Sequence, residues 1–275
     1  MIIKAGIFLN PNAGSLSWER KIERAERSVS RLARVFKEVE YRVYPRTESR
    51  EEFQQLIRNE SIDLGVLVAG GGDGTLSDVL NNASENCIVG HLKLGSGNNI
   101  TSALYRHRLI GGEEIVDTDL LIDETDGKKC MFLGAGFDSL LMRQSDEYRA
   151  AQWKGSSRYI PSFIDALRSR KNRYQVRIDG ASFNAESSKM IFVGKHPIAG
   201  SCIPVFPDAK FDDGKLYGIT LNQYFLPKYI FQGKRIEVRS SFPMLIERDG
   251  EVIGLRNSFS VHVEKKARKL LTARL

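Results

Sequence analysis

Cysteine is scarce: Cys87, Cys130 and Cys202 stand far apart in 275 residues and form no C-x-x-C pair. A disulfide framework and a cysteine-based zinc site are therefore excluded, and a reducing cytoplasm is the expected compartment. The 8 prolines are too few for a proline-rich linker or a collagen-like tract. No run approaches the roughly 18 apolar residues of a membrane span. The first residues carry neither a basic n-region nor a small-residue cleavage site, so no secretory leader is expected. His91, His107, His196 and His262 lack metal-ligand spacing and read as structural or surface residues. Also missing are G-x-x-x-x-G-K-S/T and G-x-G-x-x-G, which disfavours a P-loop NTPase and a dinucleotide dehydrogenase.

What is present suits an ordinary folded protein, with 41% hydrophobic and 27% charged residues. The length fits two domains of about 150 residues or one large α/β unit. Lys and Arg number 41 against 34 Asp and Glu, a net charge of +7 that favours anionic partners such as nucleotides or phospholipid surfaces. No nucleic-acid motif accompanies the charge, so no nucleic-acid partner is expected.

Over the first 125 residues, apolar runs alternate with helical spacing. Residues 2–9 end at Asn10-Pro11-Asn12-Ala13-Gly14, after which Ile22, Ala25, Val29, Leu32 and Val35 recur at helical intervals. A strand at 39–44, a helix carrying Phe53, Leu56 and Ile57 behind the caps Thr47 and Ser49, and strands at 64–69, 88–94 and 117–123 continue the rhythm. Such alternation predicts a parallel sheet covered on both faces. The second half has a helical stretch at 156–168 and otherwise short strands at 130–133, 174–178, 189–193, 216–221, 235–239 and 244–247. Asp179-Gly180, Asp213-Gly214 and Asp249-Gly250 punctuate them as turns, so a mostly antiparallel β domain is predicted. The polar run 123–129 marks the expected boundary between an α/β domain, 1–125, and a β-rich domain, 126–264. The tail 265–275 is expected to pack back on the first domain. Its basic run reads as a solvated terminal helix or a segment on an anionic membrane surface, and the basic residues of 20–34 read as a solvated helix face.

The strongest chemical signal is Ala69-Gly70-Gly71-Gly72-Asp73-Gly74-Thr75, between a strand and the helical stretch 76–83. Glycines there let main-chain N–H groups approach phosphate oxygens, and the helix N-terminus favours negative charge. Asp73 can engage a nucleotide hydroxyl or a metal-bound water. The plain alternative is a tight strand-to-helix turn.

Together with Asn10-Pro11-Asn12-Ala13-Gly14 before it and Leu94-Gly95-Ser96-Gly97-Asn98 after it, this loop resembles the diacylglycerol kinase and bacterial lipid kinase family, which includes sphingosine kinases. The likeness continues through Gly134-Ala135-Gly136-Phe137-Asp138, Pro207-Asp208-Ala209-Lys210-Phe211-Asp212-Asp213-Gly214-Lys215-Leu216 and Asp249-Gly250-Glu251, covering about 2–263. The resemblance implies an NAD kinase/diacylglycerol kinase-like fold: a Rossmann-like α/β domain followed by a β-sandwich. It implies a kinase that binds ATP and Mg²⁺ and phosphorylates a hydroxyl of an amphipathic lipid such as diacylglycerol. By the same likeness Asn10, Pro11, Asn12, Ala13, Gly14, Thr47, Gly71, Gly72, Asp73, Gly74, Thr75, Leu76, Ser77, Ser96 and Asn98 would surround the nucleotide. Asp249 and Glu251 would reach the reaction centre, one as general base, for which Glu251 is favoured, and the other in the magnesium network. Asp213 would hold a second, structural metal with main-chain oxygens of Lys210 and Lys215.

A lipid substrate at an anionic membrane surface, peripheral attachment from the cytoplasm and pairing of an exposed strand edge into a homodimer are the matching partner expectations. The acceptor pocket is expected among apolar residues such as Phe137, Leu140, Leu141, Ile160 and Phe163. Several positions depart from the family pattern. Asn99 replaces a carboxylate, Ser77-Asp78 replaces Asn-Glu, Lys195 stands where Asn is common, and Ala199-Gly200-Ser201 replaces a glycine triplet. An NAD kinase is disfavoured because no Pro-Thr-Gly-Ser-like segment is present. A non-catalytic nucleotide or lipid sensor is the other alternative, motivated by Asn99.

Overall fold

The computed structural model of the chain describes residues 2–44, 47–95, 99–109, 112–150, 171–199 and 203–275. Two compact units divide it: Met1–Thr118 with Ile198–Ile203 and Lys266–Leu275, and Asp119–Pro197 with Pro204–Lys265.

In the first unit strand and helix alternate: β1 (Ile3–Leu9), α1 (Trp18–Phe36), β2 (Val39–Val43), α2 (Arg50–Glu60), β3 (Val66–Gly71), α3 (Asp73–Asn82), β4 (Ile88–Lys93) and α4 (Asn99–Leu109). The strands run parallel in the order β4-β3-β1-β2. β3 is buried along its whole length, as parallel strands covered on both faces must be. Ser17 and Ser49 cap α1 and α2, accepting the N–H of Arg20 at 3.4 Å and of Glu52 at 3.1 Å. Ile7, Leu9, Val66, Val68 and Leu92 of the sheet pack with Ala25 and Leu32 of α1. Among the described residues no helix is long and apolar enough to cross a membrane.

β5 (Ile115–Asp123) leads into the second unit, followed by β6 (Lys129–Cys130), β7 (Phe132–Gly136), α5 (Phe137–Ala150), β8 (Asn172–Ile178), β9 (Ala181–Ser188) and β10 (Met190–Gly194). β11 (Ile198–Ala199) and β12 (Ile203–Pro204) form a short separate pair. β13 (Leu216–Leu221), β14 (Pro227–Gly233), β15 (Arg235–Arg248) and β16 (Glu251–Leu271) complete the chain. Antiparallel pairing orders the sheet β14-β13-β10-β7-β15-β16, with β8 on β15 and β9 on β8. Leu133, Tyr174, Val176, Ile191, Ile236, Ile246 and Val261 are fully buried in its core. The polar run 123–129 is a turn held by two guanidinium groups. Arg248 Nη1 donates to Asp126 at 2.8 and 2.9 Å and to Asp123 at 3.2 Å, and Arg256 Nη1 donates to Asp123 at 3.0 Å.

The structure changes three expectations. Residues 235–239 and 244–247 are one strand, because irregularities between Arg239 and Met244 and between Ile246 and Glu247 absorb the break in alternation without ending the ladder. The basic tail is no solvated helix. β16 continues to Leu271, its Lys269 and Leu270 pair in parallel with Ile88 and Val89, and Arg268, Leu270 and Leu271 are buried. α5 begins directly after Gly136, whose φ of 98° and a carbonyl oxygen 2.4 Å from any added Cβ admit only glycine. The helix expected at 156–168 lies outside the described residues.

Candidate functional site

In the first unit, three chain segments meet at the carboxyl ends of β1, β3 and β4. The carbonyl of Gly71 collects the N–H groups of Leu94 and Gly95, both at 2.9 Å, and faces His91 Nε2 at 3.2 Å. Burial pushes the His91 imidazole down to about 4, so it is neutral at physiological pH. Nε2–H therefore donates to Gly71, and Nδ1 accepts from the Thr101 hydroxyl. Asn10 Nδ2 donates to Thr75 Oγ1 at 2.9 Å, and Asn10 N–H donates to Gly70 O at 2.9 Å. The glycines are dictated by close approach. At Gly14 (φ 64°) a Cβ would lie 2.0 Å from Leu94 O, and at Gly95 one would lie 2.4 Å from Gly72 Cα.

Gly72 caps α3 without any side-chain hydrogen bond, and around Gly74 there is open space. The first-turn N–H groups of this helix thus form an anion-binding end of the kind phosphates use. Leu76 turns away from it, its side chain buried in the core and its N–H bonded to Gly72 O. Ser77 and Thr47 are half-buried, while Asn12 and Gly14 are exposed. Ser96 and Asn98 lie outside the described residues.

Asp73 has a structural duty that the sequence did not disclose. Its buried carboxyl accepts the N–H of Asn99 at 2.9 Å and of Ile100 at 3.4 Å, capping α4, and burial pushes it up to about 6 against those two bonds. Asp78 is held by Arg50 Nη2 at 2.8 Å and Gln54 Nε2 at 2.8 Å. Lys21, expected on a solvated face, is buried with Nζ donating to the carbonyls of Asn10 at 3.2 Å and Pro11 at 2.5 Å. It places a positive charge under the 10–14 loop, and its hidden signal was a lysine in register with the buried Ala25, Ser28 and Leu32 of α1.

In the second unit, Asp249 and Gly250 form the β15–β16 turn with φ of 48° and 83°, the left-handed pair a two-residue hairpin requires. Asp249 is 5% exposed. Its Oδ1 accepts the N–H of Met131 at 3.0 Å and Phe132 at 2.9 Å, while its own N–H donates to Phe132 O at 3.1 Å. Glu251, the first residue of β16, is half-buried. Phe137 is buried against Phe225 with ring centroids 4.5 Å apart, and Leu140 and Leu141 are half-buried. Ile160 and Phe163 lie outside the described residues.

Beside the turn sits a carboxyl pair that sequence reading missed. Glu247 is buried, and its Oε2 accepts the Gly250 N–H at 2.8 Å. Its Oε1 meets no donor among the described residues, and its carboxyl lies against Asp138, a contact that becomes a hydrogen bond only when one carboxyl carries a proton. Burial and the Asp138 charge push Glu247 well above the usual carboxylate range, and burial also raises Asp138, which the Glu247 proton counteracts. The native pair therefore binds more protons than the unfolded chain above about pH 4, so its contribution to stability falls as pH rises. Glu247→Gln keeps a donor for Asp138 and an acceptor for Gly250. Denaturant melts are expected to show the variant more stable by about 1–3 kcal/mol at pH 8 and little changed near pH 4. An equal effect at both pH values would remove the shared proton.

The α/β unit with a glycine-rich phosphate loop, followed by an antiparallel β unit, defines the NAD kinase and diacylglycerol kinase fold class. The description "Diacylglycerol kinase catalytic domain" matches residues 4–125, and "YegS C-terminal NAD kinase beta sandwich-like domain" matches residues 132–223. Together the two matches support the diacylglycerol kinase and bacterial lipid kinase family for this chain. A Staphylococcus aureus protein named as a lipid kinase is 25% identical over 247 residues, 78% of this chain and 79% of that protein. Among solved structures, a Bacillus anthracis protein named as a diacylglycerol kinase superposes with a TM-score of 0.73 at 18% identity, covering 98% of this chain and 96% of that one. An Archaeoglobus fulgidus NAD kinase in complex with ATP gives a TM-score of 0.50 at 11% identity, over 98% and 93% of the two chains. At these identities the two structures speak for the fold.

Proposed function

We propose that this protein is an ATP- and Mg²⁺-dependent lipid kinase that phosphorylates a hydroxyl of an amphipathic lipid such as diacylglycerol. The observation that carries the reading is the N-terminus of α3, where the N-cap Gly72 makes no side-chain hydrogen bond, with open space at Gly74. In this reading Asn10, Pro11, Asn12, Ala13, Gly14, Thr47, the run Gly71 to Ser77, Ser96 and Asn98 hold the nucleotide. Lys21 adds positive charge beneath the loop. Asp249 would belong to the magnesium network, where the bound ion would neutralise phosphate charge. Glu251 is the base on the acceptor hydroxyl, because Asp249 is buried with one oxygen fixed by two N–H groups whereas Glu251 is half-buried. Peripheral attachment to an anionic membrane draws on the net charge of +7 and on exposed Lys265, Lys266 and Lys269.

The test is γ-phosphoryl transfer from labelled ATP with Mg²⁺ to a mixed lipid extract in anionic micelles, with NAD in a parallel reaction. A labelled lipid is the expected product, and its mass names the acceptor. Label on NAD alone would make the protein an NAD kinase. ATP binding with no label in either reaction would make it a sensor, the reading that Asn99 in place of a carboxylate favours.

A further inference from the structure

The family resemblance places a structural metal on Asp213 and the main-chain oxygens of Lys210 and Lys215. In this chain a side chain already occupies two of those donors, Asp213 and Lys215 O. Lys195, which stands where the family commonly has Asn, is fully buried, and its Nζ donates to Asp213 Oδ1, to Lys215 O at 2.8 Å and to Asp119 Oδ2 at 3.0 Å. Three N–H donors meet three oxygens, which completes the ammonium's hydrogen-bonding capacity.

The oxygens are themselves held in place. Asp213 Oδ1 accepts the Lys215 N–H at 3.1 Å, and Asp213 Oδ2 accepts the Tyr217 hydroxyl. Asp119 Oδ2 accepts the Gly214 N–H at 2.6 Å, and Asp119 N–H donates to Phe211 O at 2.7 Å. A divalent cation would need the same lone pairs and would face the ammonium at contact distance, where two positive charges in a buried site repel strongly. The residues present do not fit the implied metal.

We propose that Lys195 is the built-in cation of this loop, replacing the structural divalent metal so that the segment 211–215 is ordered without a bound ion. The consequence reaches the candidate catalytic turn. Lys195 N–H donates to Met131 O at 3.0 Å, and Met131 N–H donates to Asp249 Oδ1. The residue that carries the ammonium is thus one main-chain hydrogen bond away from the Met131 N–H that holds the Asp249 turn.

Metal analysis and thermal melts of the full chain, with nucleotide omitted, test this. Wild-type protein is expected to carry no stoichiometric divalent ion and to melt at the same temperature in EDTA and in MgCl₂. Lys195→Asn leaves Asp119, Asp213 and Lys215 O as an oxygen cage of the type hard cations accept. It is expected to melt roughly 5–10 °C lower than wild type in EDTA and to recover much of that loss in MgCl₂ or CaCl₂. If Lys195→Asn is insoluble when made without added metal, rescue of its refolding yield by MgCl₂ reads the same property. Retention of about one divalent ion per wild-type chain, with a melting point lowered by EDTA, would overturn the proposal. So would a Lys195→Asn variant indifferent to divalent ions in both the melt and the refolding yield.

Discussion

Glu251→Gln is expected to lower phosphoryl transfer to lipid by about 10²–10⁴-fold while ATP affinity stays within a few fold. The argument is one of accessibility and charge. Phosphoryl transfer asks the protein for positioning, charge neutralisation and one group to take the acceptor's proton. Of the two carboxylates at the β15–β16 turn, Asp249 is buried, and its Oδ1 already accepts the N–H groups of Met131 and Phe132. That geometry suits a residue that orders the turn. Glutamine at 251 keeps the length and polarity of the side chain but cannot accept a proton from the lipid hydroxyl. The proposed nucleotide loop belongs to the first unit, with Gly72 and Gly74 at the N-terminal end of α3, so the variant leaves it intact. Asp249→Asn separates the two roles. Asparagine tolerates the left-handed conformation and still offers one oxygen to the two N–H groups, so the turn survives. Full activity in Glu251→Gln together with lost transfer in folded Asp249→Asn would assign the base to Asp249 instead.

Local patterns carried much of the fold into view before the structure did. The alternation of apolar runs with helical spacing placed β1, β3 and β4, and the Asp-Gly pairs at 179, 213 and 249 fell at turns because positive φ there demands such residues. The glycine-rich loop between β3 and α3 was legible for the same reason: a glycine run between strand and helix is a local feature. What stayed hidden was the company kept by charged side chains. Lys21, Lys195, Arg248 and Arg268 are all buried or nearly so, and each is satisfied by atoms outside its own helix or strand. A basic residue in an amphipathic stretch looks solvated unless its partner is known, and burial of a charge is decided only when that partner arrives. The Asp138–Glu247 pair escaped for the same reason. Its two members look like ordinary acids, and their altered proton affinity arises only when folding brings them together away from water. The departures noted in the sequence were nevertheless informative. Lys195 in place of Asn marked the position where a cation is now found.

Arg268→Ala is expected to cost about 3–5 kcal/mol of stability and to lower the melting point by roughly 10 °C. The residue is 4% exposed, and its guanidinium closes the C-terminal end of α3 with four hydrogen bonds. Nε and Nη2 donate to Leu80 O at 3.1 and 2.8 Å, Nη2 also donates to Ala83 O at 2.9 Å, and Nη1 donates to Ser84 O at 3.0 Å. Leu80 O belongs to the last turn of α3 and Ala83 is its C-cap, where carbonyls lack intrahelical partners, and the positive charge complements the negative end of the helix dipole. Truncation removes the donors and takes this partner from the carbonyls of Leu80 and Ala83, which costs more than the bonds themselves were worth, while Ser84 O keeps the Cys87 N–H at 3.2 Å. Because α3 begins at the phosphate loop, loosening its far end should also weaken ATP binding, by a smaller factor than the stability loss implies. Arg268→Lys should recover only part of the loss, since a point donor cannot reproduce the spread of a planar fork over three carbonyls. Thermal melts of the two variants provide the measurement. An Arg268→Ala protein melting within about 2 °C of wild type would show that water replaces the guanidinium at little cost, and that the strand pairing of Lys269 and Leu270 with β4 alone fastens this end of the chain to the sheet.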